Sequence, residues 1–114
     1  MKKEKNPKIF LKHILESIIE IEKNINNLSK NEFLDSTMIQ DAVVRRLEII
    51  GEAVKNLPNS IKNKYLEIPW KKIAGMRDIL IHQYFGVDVV LIWKIINQDL
   101  PKLKKQITTL LKSI

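Results

Sequence analysis

A short segment of the chain, from residue 77 to residue 84, carries four side chains that suit chemistry on a phosphate ester. Arg77 stays charged and can bind a phosphate through two N–H groups. His82 titrates near neutral pH and can accept or donate a proton. Asp78 precedes His82 by one helical turn, a spacing at which a carboxylate can orient an imidazole. With Tyr84 nearby, the set favours proton-transfer chemistry that needs no metal.

RNA is a phosphate ester that carries its own nucleophile, the 2′-hydroxyl. If His82 removes the proton of this hydroxyl while Arg77 stabilises the extra negative charge on phosphorus, strand cleavage leaves a 2′,3′-cyclic phosphate and a 5′-hydroxyl. The competing interpretation is that Arg77, Asp78 and His82 form an ordinary salt-bridge set on the surface. The remaining histidine, His13, is expected to be a surface residue of the first helix.

On a single helix, Arg77 and His82 do not point at one small target. Their spacing in sequence separates them by about 7.5 Å along the axis and about 140° around it. Either the long arginine reaches round the helix, or a second copy of the helix completes the pocket. Gly75 lies on the face of Asp78 and His82, and a glycine there lets another backbone approach closely. The helix is therefore expected to turn one face to its own core and another to a partner.

The chain is strongly basic, with a net charge of +7 and a pI of about 9.7. This balance favours a polyanionic partner such as nucleic acid, whose binding releases counterions. The alternative is a lysine-rich surface that only keeps the protein in solution. Lys71 and Lys72 are candidate phosphate contacts, whereas Arg45 and Arg46 either touch RNA or belong to the plain surface.

Composition and local pattern disfavour several kinds of site and location. The chain has no cysteine, which excludes disulfides and thiolate zinc sites and suits a reducing cytoplasm. Glu48 and Glu52 resemble half of a carboxylate metal site, but no matching Glu-x-x-His exists, so no metal site is expected. Charges at Lys12 and Glu16 break the apolar stretch that follows the basic start, unlike the pattern of a signal peptide. A cytoplasmic protein is therefore expected.

Apolar residues recur at steps of three and four along nearly the whole chain, which is the period of amphipathic helices. The sequence shows no convincing period-two alternation of the kind typical of strands. The pattern predicts a single domain over residues 1–114, folded as an antiparallel all-α bundle with four long helices and a short one. The expected long helices cover about 10–28, 39–57, 69–86 and 88–114, with the short one after Pro58 and a kink or break at Pro101.

Local signals mark where these helices begin and end. Gly86 is expected to end the third long helix. Residues 32–34, between the first two long helices, are expected to form a short turn. The expected N-terminal caps are Ser36, Asn59 or Ser60, and Asp88.

The segment 77–84, which reads R-x4-H-x-Y, resembles the motif of HepT-like toxins, the DUF86 group of the HEPN superfamily. The flanks 70–76 and 85–88 are similar to the family as well, and so is the second-helix stretch 41–53. The likeness in motif order and helix pattern covers nearly the whole chain, from about residue 9 to residue 111.

The resemblance implies a HEPN helical bundle that forms a homodimer, with Arg77 and His82 of both chains in a cleft at the dimer interface. The implied activity is that of a metal-independent endoribonuclease without a cofactor, the toxin of a type VII toxin–antitoxin pair. The implied partner is a MntA-like minimal nucleotidyltransferase antitoxin, which would transfer AMP from ATP to Tyr84 and so silence the toxin. Asp78 departs from the asparagine that many HEPN proteins have there, and it would favour the charged form of the histidine.

Two other functions are left open by the sequence. One is a non-catalytic HEPN binding subunit of a nucleotidyltransferase complex, in which RNA cleavage would be incidental. The other is a basic helical nucleic-acid binder with no chemistry of its own. An assay for cleavage of single-stranded RNA in the presence of a chelator separates both from a ribonuclease.

Overall fold

The computed structural model describes residues 6–82 and 88–114, and of residues 77, 79, 81 and 82 it describes the backbone alone. Every regular element in these ranges is helical, which confirms the all-α bundle. None of these helices is long and apolar enough to cross a lipid bilayer. In chain order the elements are α1 (Pro7–Ile25), α2 (Lys30–Asp35), α3 (Thr37–Asn56), α4 (Asn59–Lys64), α5 (Trp70–His82), α6 (Val89–Lys94), a π-helical segment (Ile95–Asp99) and α7 (Leu100–Ser113).

The helices α3 and α6 begin at short polar side chains that accept hydrogen bonds from the first turn. The Ser36 hydroxyl accepts the backbone N–H of Ile39 at 3.2 Å. The Asp88 carboxylate accepts the backbone N–H of Leu91 at 3.1 Å. Each such cap stabilises a helix by about 1 kcal/mol, because it satisfies a donor that has no partner within the helix. The caps predicted at these two positions are confirmed.

Residues 32–34, predicted as a short turn, belong to the longer helix α2. A capping box starts this helix: the Ser29 hydroxyl accepts the Glu32 N–H at 3.1 Å, and the Glu32 carboxylate accepts the Ser29 N–H at 2.9 Å. The hydrogen bond that the Glu32 carboxylate accepts from the Ser29 backbone is the main cause that lowers the pKa of the Glu32 carboxyl, and the Ser29 side chain beside the carboxylate lowers it further. This interaction therefore stabilises the fold above the ordinary carboxyl pKa, and its contribution is lost as the pH falls through the lowered value.

The prediction of a side-chain cap at Asn59 or Ser60 is wrong. The helix α4 already includes Asn59, and its cap is Pro58, which makes no side-chain hydrogen bond. The Pro58 carbonyl instead accepts the N–H groups of Ile61 and Lys62 at 3.1 and 3.3 Å. Because proline has a fixed φ and no N–H, the same residue ends α3 and allows α4 to start directly after it.

The core forms around α3, against which both α1 and α5 pack. The helix α7 packs against α1, and α2 contacts both α3 and α6. The apolar lines predicted for the helices are buried or partly buried at these contacts, as expected for amphipathic helices of a bundle. The largest fully buried side chains are Leu11, Ile14, Ile18, Ile21, Phe33, Val43, Leu47, Ile50, Val54, Ile92, Ile107 and Leu110.

The last long helix continues from residue 89 to residue 113 past Pro101, where a kink or break is predicted. Its middle, Ile95–Asp99, is a wider π-helical turn in which the Leu100 N–H donates to the Ile95 carbonyl. Pro101 has no N–H, and its ring crowds the carbonyl of the preceding turn. A π-helical turn accommodates such a residue without ending the helix. The predicted interruption therefore takes the form of a local change in helix type.

Ser17 is a polar side chain in the apolar face of α1. It is 1% exposed, and within the residues that the structure describes its hydroxyl has no hydrogen-bond partner. Burial of an unpaired hydroxyl costs free energy, because its hydrogen bonds to water are lost without replacement.

We expect Ser17→Ala to raise the free energy of unfolding by about 1 kcal/mol, since the substitution removes the unpaired hydroxyl. Urea denaturation followed by circular dichroism measures the change. The control is Ser113→Ala, because Ser113 is exposed near the end of α7 and its hydroxyl donates to the Thr109 carbonyl at 2.9 Å. A destabilised Ser17→Ala variant would contradict this reading of the core.

Candidate active site

Trp70 fixes the start of α5, the helix that carries the motif. Its side chain is 7% exposed, and its indole N–H donates to the Tyr65 carbonyl at 3.0 Å. The Pro69 carbonyl accepts the N–H of Ile73 at 3.1 Å, which closes the first turn. Ile73 and Leu80 are buried on the face of α5 that belongs to the core. These contacts determine both the position and the rotation of the helix.

The structure describes the motif residues only in part. Arg77 and His82 lie on α5, and their backbone is helical as predicted. Their side chains lie outside the described part of the structure, and Tyr84 and Gly86 lie outside the described residues altogether. The helical backbone separates Arg77 and His82 by about 7.5 Å along the axis and about 140° around it. That their side chains meet at one phosphate stays a prediction.

Asp78 pairs with a lysine of another helix. The Nζ atom of Lys55, in the last turn of α3, lies 3.8 Å from Oδ1 of Asp78. The two side chains are 41% and 59% exposed, so solvent reaches the pair. The role predicted for Asp78, to orient His82, stays a prediction. Lys55 was not among the candidate residues, because helical spacing within one element cannot reveal a contact between two helices.

Gly75 lies on α5 with open space beside it. A methyl group placed at its Cα meets no heavy atom of the described residues within 4 Å, apart from its chain neighbours and the backbone of its own helix. A glycine inside a helix costs about 1 kcal/mol relative to alanine, and packing against the described residues does not require it here. The open position fits the expectation that this face of α5 is free for a close approach by another backbone.

The four basic residues predicted as RNA contacts lie on two helices. Lys71 and Lys72 are exposed in the first turn of α5, on the same helix as the motif. Arg45 is exposed and Arg46 half-buried on α3. The structure therefore places the two lysines, but not the two arginines, on the motif helix.

A groove of about 280 Å³ lies between α1 and α3. Arg45 lines it together with His13, Glu48 and Glu52, so the positive charge of Arg45 is offset by the two carboxylates. A polyanion is attracted by a surface of one sign, and this groove does not offer one. His13 is exposed, as predicted. The other residues that line the groove are Phe10, Ile49, Ala53 and Asn56.

The two glutamates of the groove, Glu48 and Glu52, stand one helical turn apart on α3. Within residues 6–82 and 88–114, no group of three or more histidine, aspartate or glutamate side chains is placed to hold a metal ion. That the two glutamates belong to no metal site stays a prediction.

The family match and the names of the similar proteins point to the same family. The family described as ribonuclease HepT-like matches residues 14–110, a range that includes all of α3 and α5. A protein of Thermococcus cleftensis named probable ribonuclease HepT is 48% identical over 105 residues, which cover 92% of this chain and 96% of that protein. A Methanocaldococcus jannaschii protein whose name designates an RNase is 46% identical over 100 residues, which cover 88% of this chain and 92% of that protein.

A second Methanocaldococcus jannaschii protein extends well beyond the region that it shares with this chain. It is 51% identical over 110 residues, which cover 96% of this chain but 50% of that protein. Its name combines a gamma-glutamylcyclotransferase with an RNase. No solved structure shows a significant match to the chain.

Proposed function

Because the chain belongs to the ribonuclease HepT-like family, we propose that it is a metal-independent endoribonuclease with Arg77 and His82 in its active site. The main support is that the family match spans both residues, which lie on one helix whose start is fixed by the buried Trp70. The proposal includes the biological role that the motif resemblance implies, the toxin of a type VII toxin–antitoxin pair.

The proposed reaction uses the nucleophile that RNA itself carries. His82 accepts the proton of the 2′-hydroxyl, the 2′-oxygen attacks phosphorus, and the bond from phosphorus to the 5′-oxygen breaks. Arg77 donates hydrogen bonds to the phosphate oxygens, whose negative charge increases in the transition state. A second histidine protonates the departing 5′-oxygen, so the products are a 2′,3′-cyclic phosphate and a 5′-hydroxyl.

The need for a second histidine favours a homodimer as the active species. On one helix Arg77 and His82 are about 140° apart around the axis, and two copies of α5 can supply both groups from opposite sides of a shared cleft. Gly75 supports this arrangement, because no described residue of the single chain fills the space beside it. We place the dimer contact along this face of α5.

Replacement of Gly75 tests the dimer contact. We expect Gly75→Ala to stabilise the isolated chain by about 1 kcal/mol, because alanine favours the helix. The same methyl group weakens the dimer, because it keeps the two backbones apart. Sedimentation equilibrium and thermal unfolding at low protein concentration measure the two effects. Unchanged dimerisation in Gly75→Leu, which carries a much larger side chain, would contradict a contact through this face.

Substitution of the motif residues tests the chemistry. We expect His82→Ala and Arg77→Ala each to lower the rate of cleavage of single-stranded RNA by about 100- to 10,000-fold in the presence of a chelator. The matched control is His13→Ala, because His13 is the other histidine and is exposed on α1. DNA of the same sequence should resist cleavage, since it lacks the 2′-hydroxyl. Cleavage by His82→Ala at the wild-type rate would refute the mechanism, whereas a wild-type protein that binds RNA without cleaving it would favour the non-catalytic binding subunit.

Modification of Tyr84 is proposed as the means of control. A MntA-like minimal nucleotidyltransferase would transfer AMP from ATP to the Tyr84 phenol, with release of pyrophosphate. The adduct adds negative charge two residues from His82 and repels the RNA phosphate. We expect incubation with such an enzyme and ATP to add the mass of AMP to the peptide that contains Tyr84 and to stop cleavage. The Tyr84→Phe variant should stay unmodified, and its modification elsewhere with loss of activity would contradict the assignment.

A further inference from the structure

Lys55, in the last turn of α3, pairs with a residue of the helix that carries the motif. The role inferred for it rests on the proposed ribonuclease function. We propose that Lys55 is a positioning residue of the active site, which neutralises the charge of Asp78 so that an RNA phosphate can bind beside the motif. The observation behind it is the pair between Lys55 on α3 and Asp78 on α5, with Nζ and Oδ1 3.8 Å apart.

The negative charge of Asp78 disfavours the binding of a polyanion close to it. It directly follows Arg77 in the sequence and stands one helical turn before His82. A carboxylate at this position repels the phosphate that the arginine attracts. Salt screens this repulsion only in part, because charges a few ångströms apart are closer than the screening length. To bind RNA well, the site therefore needs a positively charged side chain next to the Asp78 carboxylate. Lys55 supplies it.

The exposure of the pair indicates that it does little for stability. Both side chains are more than two fifths exposed, and exposed ion pairs of this kind contribute little to folding because water competes for both charges. The distance of 3.8 Å is also longer than a hydrogen bond. Because the pair is accessible to solvent, an RNA strand can come close enough for the charge of the pair to affect its binding.

The chain offers a matched pair for comparison. Lys104 on α7 pairs with Glu22 on α1 at 2.8 Å, and its side chain is 39% exposed against 41% for Lys55. Both lysines thus join two helices at similar exposure, but only Lys55 pairs with a residue of α5. A difference between the two lysines in RNA binding therefore reflects the place of Lys55 beside the motif rather than the loss of any surface charge.

A double-mutant cycle tests the inference on the whole chain of residues 1–114. The variants are Lys55→Gln, which removes the charge and leaves a polar side chain one atom shorter, Asp78→Asn, the two combined, Lys55→Arg and the control Lys104→Gln. The measurements are KM and kcat for a single-stranded RNA, and Kd for the 2′-deoxy oligonucleotide of the same sequence, which binds but is not cleaved. Thermal unfolding establishes that each variant is folded.

We expect Lys55→Gln to raise both KM and Kd by about three- to tenfold, because Asp78 is left uncompensated, while kcat changes less than about twofold. Asp78→Asn in the same chain should restore KM and Kd, since no repulsion then remains, and Lys55→Arg should bind like the wild type. Lys104→Gln should not show the effect.

Two outcomes would overturn the inference. If Lys55→Gln binds and cleaves RNA like the wild type, Lys55 has no part in the site. If the loss persists unchanged when Asp78→Asn is added, Lys55 acts directly on RNA or on the fold rather than through Asp78. A wild-type protein that cleaves no RNA refutes the ribonuclease proposal instead, so the two failures are distinguishable.

Discussion

The packing of α5 against α3 is the contact on which the candidate site depends. Ile73 and Leu80 bury one face of α5, and Trp70 holds its first turn by a hydrogen bond to the chain before it. Once this face is buried, the rotation of the helix is set, because the residues of a helix keep fixed angles to one another. Asp78 is then exposed and comes within reach of Lys55 at the end of α3. The same packing leaves the space beside Gly75 unfilled by the other described residues.

Much of the fold could be predicted because helix formation follows local rules. The apolar period located the long helices, and Ser36 and Asp88 identified two of their starts. The helix α2 was underestimated although its signal is present in the sequence, as Ser29 and Glu32 have the spacing of a capping box. The π-helical turn before Pro101 is a different case. Proline predicts that something must change, but whether the helix breaks or widens depends on how strongly the residues on both sides are held in the core.

The candidate site could be predicted only as far as one helix reaches. The spacing of Arg77, Asp78 and His82 is a property of α5 and is readable in the sequence. The pair between Asp78 and Lys55 is a property of two helices, because it depends on how α3 and α5 are turned and offset against each other. In the same way, sequence could not show that Arg45 shares a groove with two glutamates. Contacts between helices are therefore the features that the structure reveals and the sequence alone does not.

In the proposed function, the net charge of +7 accounts for attraction of RNA but not for where a bond is cleaved. Attraction by many dispersed lysines is independent of sequence and falls with salt. Several lysines are moreover engaged with carboxylates, as in the pairs Lys23 with Glu20 and Lys104 with Glu22. In the proposed mechanism, cleavage instead needs a general base and a positively charged hydrogen-bond donor that a structured surface holds at one phosphate. The distribution of charge around α5, with an acidic residue compensated by a neighbouring helix, therefore bears more directly on function than the total does.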